Sequence, residues 1–438
     1  MKESLSRRAF IGSAVGASLG LGLKSASADQ TPSVSASVPK KKASPLWPIW
    51  NSTEENAIVE TLNSGHWGRG DGASRKVRSF EEAFSKKMNA RYCVATSSGT
   101  TALTTALGAL NIGPGDEVII SPYTFVATFN SVTSSFALPI FADSDLESFQ
   151  IDPKRMADAI TPATKLLLPV HIGGSPANID EISALSQSRS VPLIEDACQA
   201  PFAEWRGQPV GSFGMGGCFS FQASKNLTSG EGGAILSNNE SFANLCYDFH
   251  NPGGTKKSLS SGRGGNFRMT EIQGSILLAQ MQRLDEQYKH REANALYLRQ
   301  MMSQIGGITP SLLYPGCTRS AWHLFKFRYN ASEFSGLSRT KFVQALVKEK
   351  INPSYGYTSL PASTHVMALA NNPHYQKIYG RKGMADWVGR IQCPVNDRLV
   401  QEAVWLPQYT LLSSRSEMER IASVIAGIKK RSAQLTKA

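Results

Sequence analysis

Between residues 92 and 194 the chain alternates two kinds of segment, and this alternation most restricts its fold. Short apolar runs occur at 92–96, 117–120, 138–141, 166–170 and 191–194. Segments of helical character separate them at 101–110, 124–136, 153–160 and 179–187. A strand of four or five residues that is apolar at nearly every position has no face to give to water, so it belongs in a sheet covered on both sides. The intervening helices supply the cover and return the chain to the same edge, which makes successive strands parallel. The expected fold class is α/β: a large domain with a mostly parallel sheet covered by helices, followed by a smaller α+β C-terminal domain. Flanking this repeat, helices are expected at 52–63 and 79–88, a further strand at 234–236, and one long helix over 269–301 that leads into the smaller domain. The expected boundaries are 47–302 for the large domain and 303–438 for the small one.

The first 46 residues read differently. Ser6-Arg7-Arg8-Ala9-Phe10-Ile11 is a twin-arginine pattern, a Gly/Ala-rich apolar stretch follows to Leu23, and Ala26-Ser27-Ala28 offers small residues for cleavage. Residues 1–28 are therefore expected to be an export signal and 29–46 a linker rich in Ser, Pro, Ala and Lys. The expected location is periplasmic, or cytoplasmic where the signal is not used. The apolar run is too short and glycine-rich for stable membrane insertion. Removing residues 1–28, with four basic residues and one acid, lowers the net charge from +12 to +9. Lys and Arg are scattered, so no nucleic-acid surface is expected. The six cysteines show no CxxC and the seven histidines no HExxH; no metal site and mostly free thiols are expected.

Three features in order carry chemistry. Ser97-Ser98-Gly99-Thr100-Thr101 lies between a strand and a helix, where backbone N–H groups and the positive helix end suit a phosphate. Asp196 closes the run Val191-Pro192-Leu193-Ile194-Glu195-Asp196, at the sheet edge where α/β sites form. Lys225 sits in a polar loop after Cys218-Phe219-Ser220-Phe221 and before Gly230-Glu231-Gly232-Gly233. Singly, these are a helix cap, a salt-bridged acid and a surface lysine. Together they meet the needs of pyridoxal 5'-phosphate (PLP): an amine for the Schiff base, an acid for the pyridine nitrogen and a turn for the phosphate.

The segments Ser98-Gly99-Thr100-Thr101-Ala102-Leu103, Gly113-Pro114-Gly115-Asp116, Ile194-Glu195-Asp196-Ala197-Cys198-Gln199-Ala200, Lys225-Asn226-Leu227-Thr228 and Gly265-Asn266-Phe267-Arg268-Met269-Thr270-Glu271 resemble, in order, the DegT/StrS-type sugar aminotransferases. These are fold-type I PLP enzymes with the aspartate-aminotransferase-like architecture. The resemblance implies that Lys225 binds the cofactor covalently and shuttles the proton. It further implies that Asp196 pairs with the pyridine nitrogen, Gln199 lies near the ring 3-oxygen and Phe125 stacks on the ring. The Gly99 and Thr100 amides and the Thr100 and Ser220 hydroxyls would hold the phosphate. Asn266 would reach the phosphate of a neighbouring subunit, which implies a homodimer. His323, in Ser320-Ala321-Trp322-His323, and Tyr355 and Tyr357 are candidate substrate contacts. Cys198 stands where the family commonly has alanine, and Gln222-Ala223-Ser224 resembles the branch acting on cyclitol ketones.

The implied reaction moves an amino group from glutamate or glutamine to a keto-sugar or keto-cyclitol. Two other readings stand beside it. One is a PLP-dependent sugar dehydratase, in which histidine typically replaces the lysine. The other is a non-catalytic PLP-binding or regulatory protein.

Overall fold

Residues 46–69, 75–251 and 262–437 are described by a computed structural model; the expected export signal and nearly all of the expected linker lie outside them. The repeat from 92 to 194 builds most of one seven-stranded sheet. Its strands are β1 (Tyr92–Thr96), β2 (Glu117–Ile120), β3 (Leu138–Phe141), β4 (Thr164–Leu168), β5 (Ile194–Asp196), β6 (Gly216–Ser220) and β7 (Gly233–Ser237). β2 runs parallel to β3 and β4, and β5 parallel to β6. Parallel bridges from Leu167 to Leu193 and from Val170 to Asp196 join the two groups. β7 lies antiparallel between β6 and β1. The order is thus β3-β2-β4-β5-β6-β7-β1, with β7 alone reversed among the described strands. Every residue of β2, β3, β5, β6 and β7 is buried, as a sheet covered on both faces requires.

Alternation along the strands assigns the two faces. Val94, Cys218 and Ile235 point into a core with Leu103, Ala106 and Leu107 of the helix Gly99–Ala109. Ala95, Phe219, Ala234 and Leu236 point to the other face, onto Phe80 and Phe84 of the helix Lys76–Lys87. There Phe84 meets Phe202, Phe219 and Phe221 edge-on, with centroids 5.3–5.7 Å apart, the geometry that ring quadrupoles favour.

In chain order the helices used below are α1 (Ser52–Asn63), α2 (Lys76–Lys87), α3 (Gly99–Ala109), α4 (Ala127–Thr133), α5 (Glu271–Met281), α6 (Leu284–Met302) and α7 (Arg415–Lys430). Two of them differ from expectation. The long helix over 269–301 is broken between α5 and α6, where Arg283 leaves helical geometry at φ −101°, ψ 1°. The break turns Arg283 toward the N-terminal segment: its Nη2 donates to Glu54 Oε2 at 2.9 Å and its Nη1 to the Ile49 carbonyl at 3.0 Å. The helix over 124–136 is the shorter α4, and residues 121–126 remain a loop.

A three-stranded antiparallel sheet, β8 (Ile308–Pro310), β9 (Leu324–Tyr329) and β10 (Ala403–Pro407), organises the C-terminal part. Its core joins Leu298 and Met302 of α6 to Phe327, Phe342 and, from α7, Ile421 and Ile425. The hydrophobic cores do not follow the expected chain boundary at 302/303. Leu360, Val366, Trp387 and Ile391 belong to the core of the large sheet, and Trp387 Nε1 donates to the Pro139 carbonyl of β3 at 2.8 Å. All six cysteines are free. Among the described residues no helix is long and apolar enough to cross a membrane, and no group of His, Cys, Asp and Glu could hold a metal ion.

Candidate active site

The carboxyl ends of β1, β2, β4, β5 and β6 open onto one cleft of about 550 Å³, the edge where open α/β sheets place ligands. β1 delivers Ser98, Gly99 and Thr100, the loop after β2 delivers Phe125, β5 delivers Asp196, and β6 delivers Ser220. Lys225 follows β6 by five residues and lines the same cleft. Three features far apart in sequence are thus brought together by strand order.

The turn into α3 is built for close approach. Ser98 caps the helix: its Oγ accepts from the Thr101 N–H at 3.1 Å, while Thr101 Oγ1 accepts from the Ser98 N–H at 2.9 Å. A Cβ on Gly99 would lie 2.6 Å from the Ser220 Cβ, so glycine is required where the helix N-terminus meets the end of β6. The Gly99 and Thr100 N–H groups belong to the first turn of α3, whose amides have no intrahelical partner and carry the positive end of the helix dipole.

Asp196 is buried and held from two sides. Thr128 Oγ1 donates to its Oδ2 at 2.8 Å and the Cys198 N–H to its Oδ1 at 3.2 Å. Beneath it, neighbouring Glu195 is tied into the scaffold. Its carboxylate accepts from the Gly211 and Phe213 N–H groups and from His171 Nε2, at 2.7–2.8 Å. The Ala177 N–H donates to His171 Nδ1 at 3.0 Å, so the imidazole proton toward Glu195 sits on Nε2.

Lys225 has no hydrogen-bond or ion-pair partner for its ammonium among the described residues. Burial pushes that amine below the usual lysine range, and the nearby Cys198 and Asp196 offset this only in part. A partnerless, desolvated lysine is the form that becomes nucleophilic near neutral pH. Burial also pushes the Cys198 thiol well up, with the Asp196 charge adding to it, so Cys198 is a neutral neighbour and not a competing nucleophile.

Gln199 is fixed at both ends. The Gly173 N–H donates to its Oε1 at 2.8 Å, and its Nε2 donates to Tyr357 Oη at 2.9 Å. Tyr357 packs edge-on to Trp405, with ring centroids 4.8 Å apart. His323 follows Trp322, a residue in the left-handed region at φ +52°. Its Nδ1 lies 3.2 Å from Asn226 Oδ1, whose own amide nitrogen donates to the Ala321 carbonyl at 2.6 Å; His323 is therefore the donor at Nδ1. Burial first, and then the charges of Lys225 and Arg291, hold His323 well below the usual imidazole range, leaving it neutral.

Phe125 is 57% exposed and lies on the cleft wall. An exposed phenylalanine over an open cleft is unexpected for a helix-core residue and suits a planar ligand. Of the residues singled out from sequence, Lys225, Gly99, Thr100, Phe125, Asp196, Gln199, Ser220, His323 and Tyr357 line the cleft. Two do not. Asn266 is exposed and outside it. Tyr355 is exposed outside it, with the Arg339 guanidinium 5.5 Å from its ring. Thr128 and Trp405 also line the cleft; Thr128 follows the loop residue Thr124 by four positions, and its hydroxyl signals nothing until β5 is placed beside α4.

The cleft fits PLP. It holds a free amine, a buried oriented carboxylate, an exposed aromatic face and a helix N-terminus that a Cβ would obstruct. Fold and site together define a fold-type I PLP-dependent aminotransferase. Residues 48–428 match the family described as DegT/DnrJ/EryC1/StrS aminotransferases, and the chain belongs to that family. It is 32% identical over 397 residues to a putative L-glutamine:3-amino-2,3-dideoxy-scyllo-inosose aminotransferase of Streptoalloteichus tenebrarius, covering 88% of this chain and 94% of that one. The crystal structure of 3-amino-5-hydroxybenzoic acid synthase superposes with a TM-score of 0.77 at 29% identity, covering 89% of this chain and 99% of that one. DesV of S. venezuelae, solved with a ketimine intermediate, superposes with a TM-score of 0.73 at 27% identity over 87% of this chain and 95% of that one.

Proposed function

We propose that this aminotransferase transfers the amino group of glutamine or glutamate to a keto-cyclitol or keto-sugar. When bound, PLP supplies the electron sink that lets the α-proton of the donor leave. The chain's own residues do the rest. Lys225 would hold the cofactor, and its Nζ would take the proton from the donor Cα. In the second half-reaction the same Nζ returns a proton to the acceptor carbon. Asp196 would keep the pyridine nitrogen protonated, Gln199 would lie by the ring 3-oxygen, and Phe125 would cover the ring. The Gly99 and Thr100 amides, with the Thr100 and Ser220 hydroxyls, hold the phosphate. Neutral His323, with a free lone pair at Nε2, and Tyr357 contact the acceptor. Exposed Asn266 fits a role in the cleft of a second copy, so the active unit is a homodimer.

The observation that carries the reading is the desolvated, partnerless Lys225 in the same cleft as Asp196. Lysine at this position also separates the chain from the dehydratase reading. A cyclitol ketone is favoured by Gln222 and Ser224, which line the cleft, and by the likeness to the S. tenebrarius enzyme. The test is in two stages. Adding L-glutamine to the PLP-loaded protein is expected to bleach the visible band, and adding a keto-cyclitol to restore it. A band that no amino donor changes would favour a non-catalytic binding protein.

The sequence before residue 29 supports export by the twin-arginine route, which carries folded, cofactor-loaded proteins. Cell fractionation is expected to find a protein shortened by about 28 residues in the periplasm; full-length protein confined to the cytoplasm would refute this.

A further inference from the structure

Lys326 lies on β9, in the C-terminal sheet, yet it reaches the residues around the cofactor cleft. Its side chain is buried, at 2% exposure, and it forms no ion pair among the described residues. Its Nζ donates to the Ile172 carbonyl at 2.6 Å and lies 3.4 Å from the Ser148 carbonyl. Burying an amine costs several kcal/mol unless its bonds are well made, so this lysine is an expensive way to fill space.

The turn it grips is shaped around it. Ile172–Gly174 is a short helical turn with Gly173 in the left-handed region, at φ +69°. A Cβ on Gly173 would lie 2.7 Å from Lys326 Cδ. The N–H of that same Gly173 donates to Gln199 Oε1 at 2.8 Å. The neighbouring Gly174 carbonyl accepts from the Ala321 N–H at 2.8 Å, two residues before His323. One turn thus joins Lys326 to the amide of Gln199, and through Gln199 Nε2 to Tyr357.

We propose that Lys326 is a positioning residue: by holding the Ile172–Gly174 turn it fixes the amide plane of Gln199 against the cofactor ring. This rests on the reading of Gln199 as the ring's neighbour. In this role Lys326 touches neither cofactor nor substrate. Its pKa, pushed down to about 7 by burial, fits an amine that binds carbonyls without a counter-ion.

The experiment is a double-mutant cycle on the PLP-loaded protein with Lys326→Met, Gln199→Leu and the pair. PLP affinity and the pH at which the visible band titrates are both read. Lys326→Met is expected to weaken PLP binding about tenfold, the scale of coupling within one hydrogen-bond network. It is also expected to move the band's titration in the same direction as Gln199→Leu, and to add less than about twofold once Gln199 is leucine. Lys326→Gln, which keeps a donor, is expected to restore part of the loss. If Gln199→Leu shifts the band and a cooperatively melting Lys326→Met does not, or if the two effects add in full, the proposal is overturned while Gln199 keeps its place. If Gln199→Leu leaves band and affinity unchanged, the placement of Gln199 fails first and takes the proposal with it.

Discussion

Thr128 Oγ1 donates to Asp196 Oδ2 at 2.8 Å, and both side chains are buried. Thr124 Oγ1 lies 3.0 Å from Thr128 Oγ1, so a short relay of hydroxyls runs from the loop after β2 to the acid at the end of β5. The relay, with the Cys198 N–H on Oδ1, fixes the orientation of the Asp196 carboxylate. Thr128→Val preserves the shape and removes the donor. It is expected to weaken PLP binding about ten- to a hundredfold, the worth of one hydrogen bond to a charged group, read by equilibrium titration of the visible band. Thr124→Val, one step further from the carboxylate, is expected to cost less.

Gly99→Ala is expected to damage the phosphate end of the site. The new methyl would meet the Ser220 Cβ at 2.6 Å, so α3 or β6 must shift. Overpacking of this kind costs about 1–3 kcal/mol. The expected signature is a lower melting temperature for the apoprotein together with a reduced gain on adding PLP. An unchanged gain would place the phosphate elsewhere.

Lys326 gives stability a signed pH dependence. Its amine titrates near 7 in the folded chain, against about 10.4 when unfolded. Between those values the unfolded chain binds more protons, so stability rises with pH across that window. Burial is the main cause; Arg299 adds to it and Cys317 opposes it. Lys326→Met removes this contribution. The melting temperature of the variant relative to the parent is therefore expected to be higher at pH 7 than at pH 10.

Arg283→Ala tests the break between α5 and α6. Arg283 and Gln280 both bond Glu54, whose side chain is 5% exposed. Burial raises the Glu54 carboxyl, but Arg283 and the Asn51 N–H more than offset this and leave it lowered. Removing the guanidinium leaves a buried acid poorly paired, at a cost on the order of 2–3 kcal/mol, below the full buried-pair value because Arg283 keeps a solvent-facing edge. In the parent, this pairing is lost as pH falls through the lowered carboxyl pKa, so the gap between parent and variant should narrow in acid.

These positions also show what the sequence could tell. Strands β1 to β3 and the lysine loop were legible because each is a contiguous run whose apolar pattern or turn chemistry is local, while the runs expected at 166–170 and 191–194 fold as β4 (Thr164–Leu168) and β5 (Ile194–Asp196), each shifted by about two residues. Asp196 was legible because a strand end is a defined place in an α/β sheet. The helix break at Arg283 was not, because its cause is Glu54, more than two hundred residues away. The return of 360–393 to the large core was hidden for the same reason: nothing in Trp387 announces the Pro139 carbonyl. Thr128 and Lys326 act through partners on other elements, and a hydroxyl or an amine carries no signal until those elements meet.

Covalent attachment of the cofactor to Lys225 can be read chemically. The most direct measurement is to load the purified protein with PLP, reduce it with borohydride, digest it and locate the phosphopyridoxyl group by peptide mass spectrometry. A single modified peptide is expected, with the group on Lys225 and absent from Lys225→Ala. Modification of a different lysine, or none in protein that shows the visible band, would contradict it.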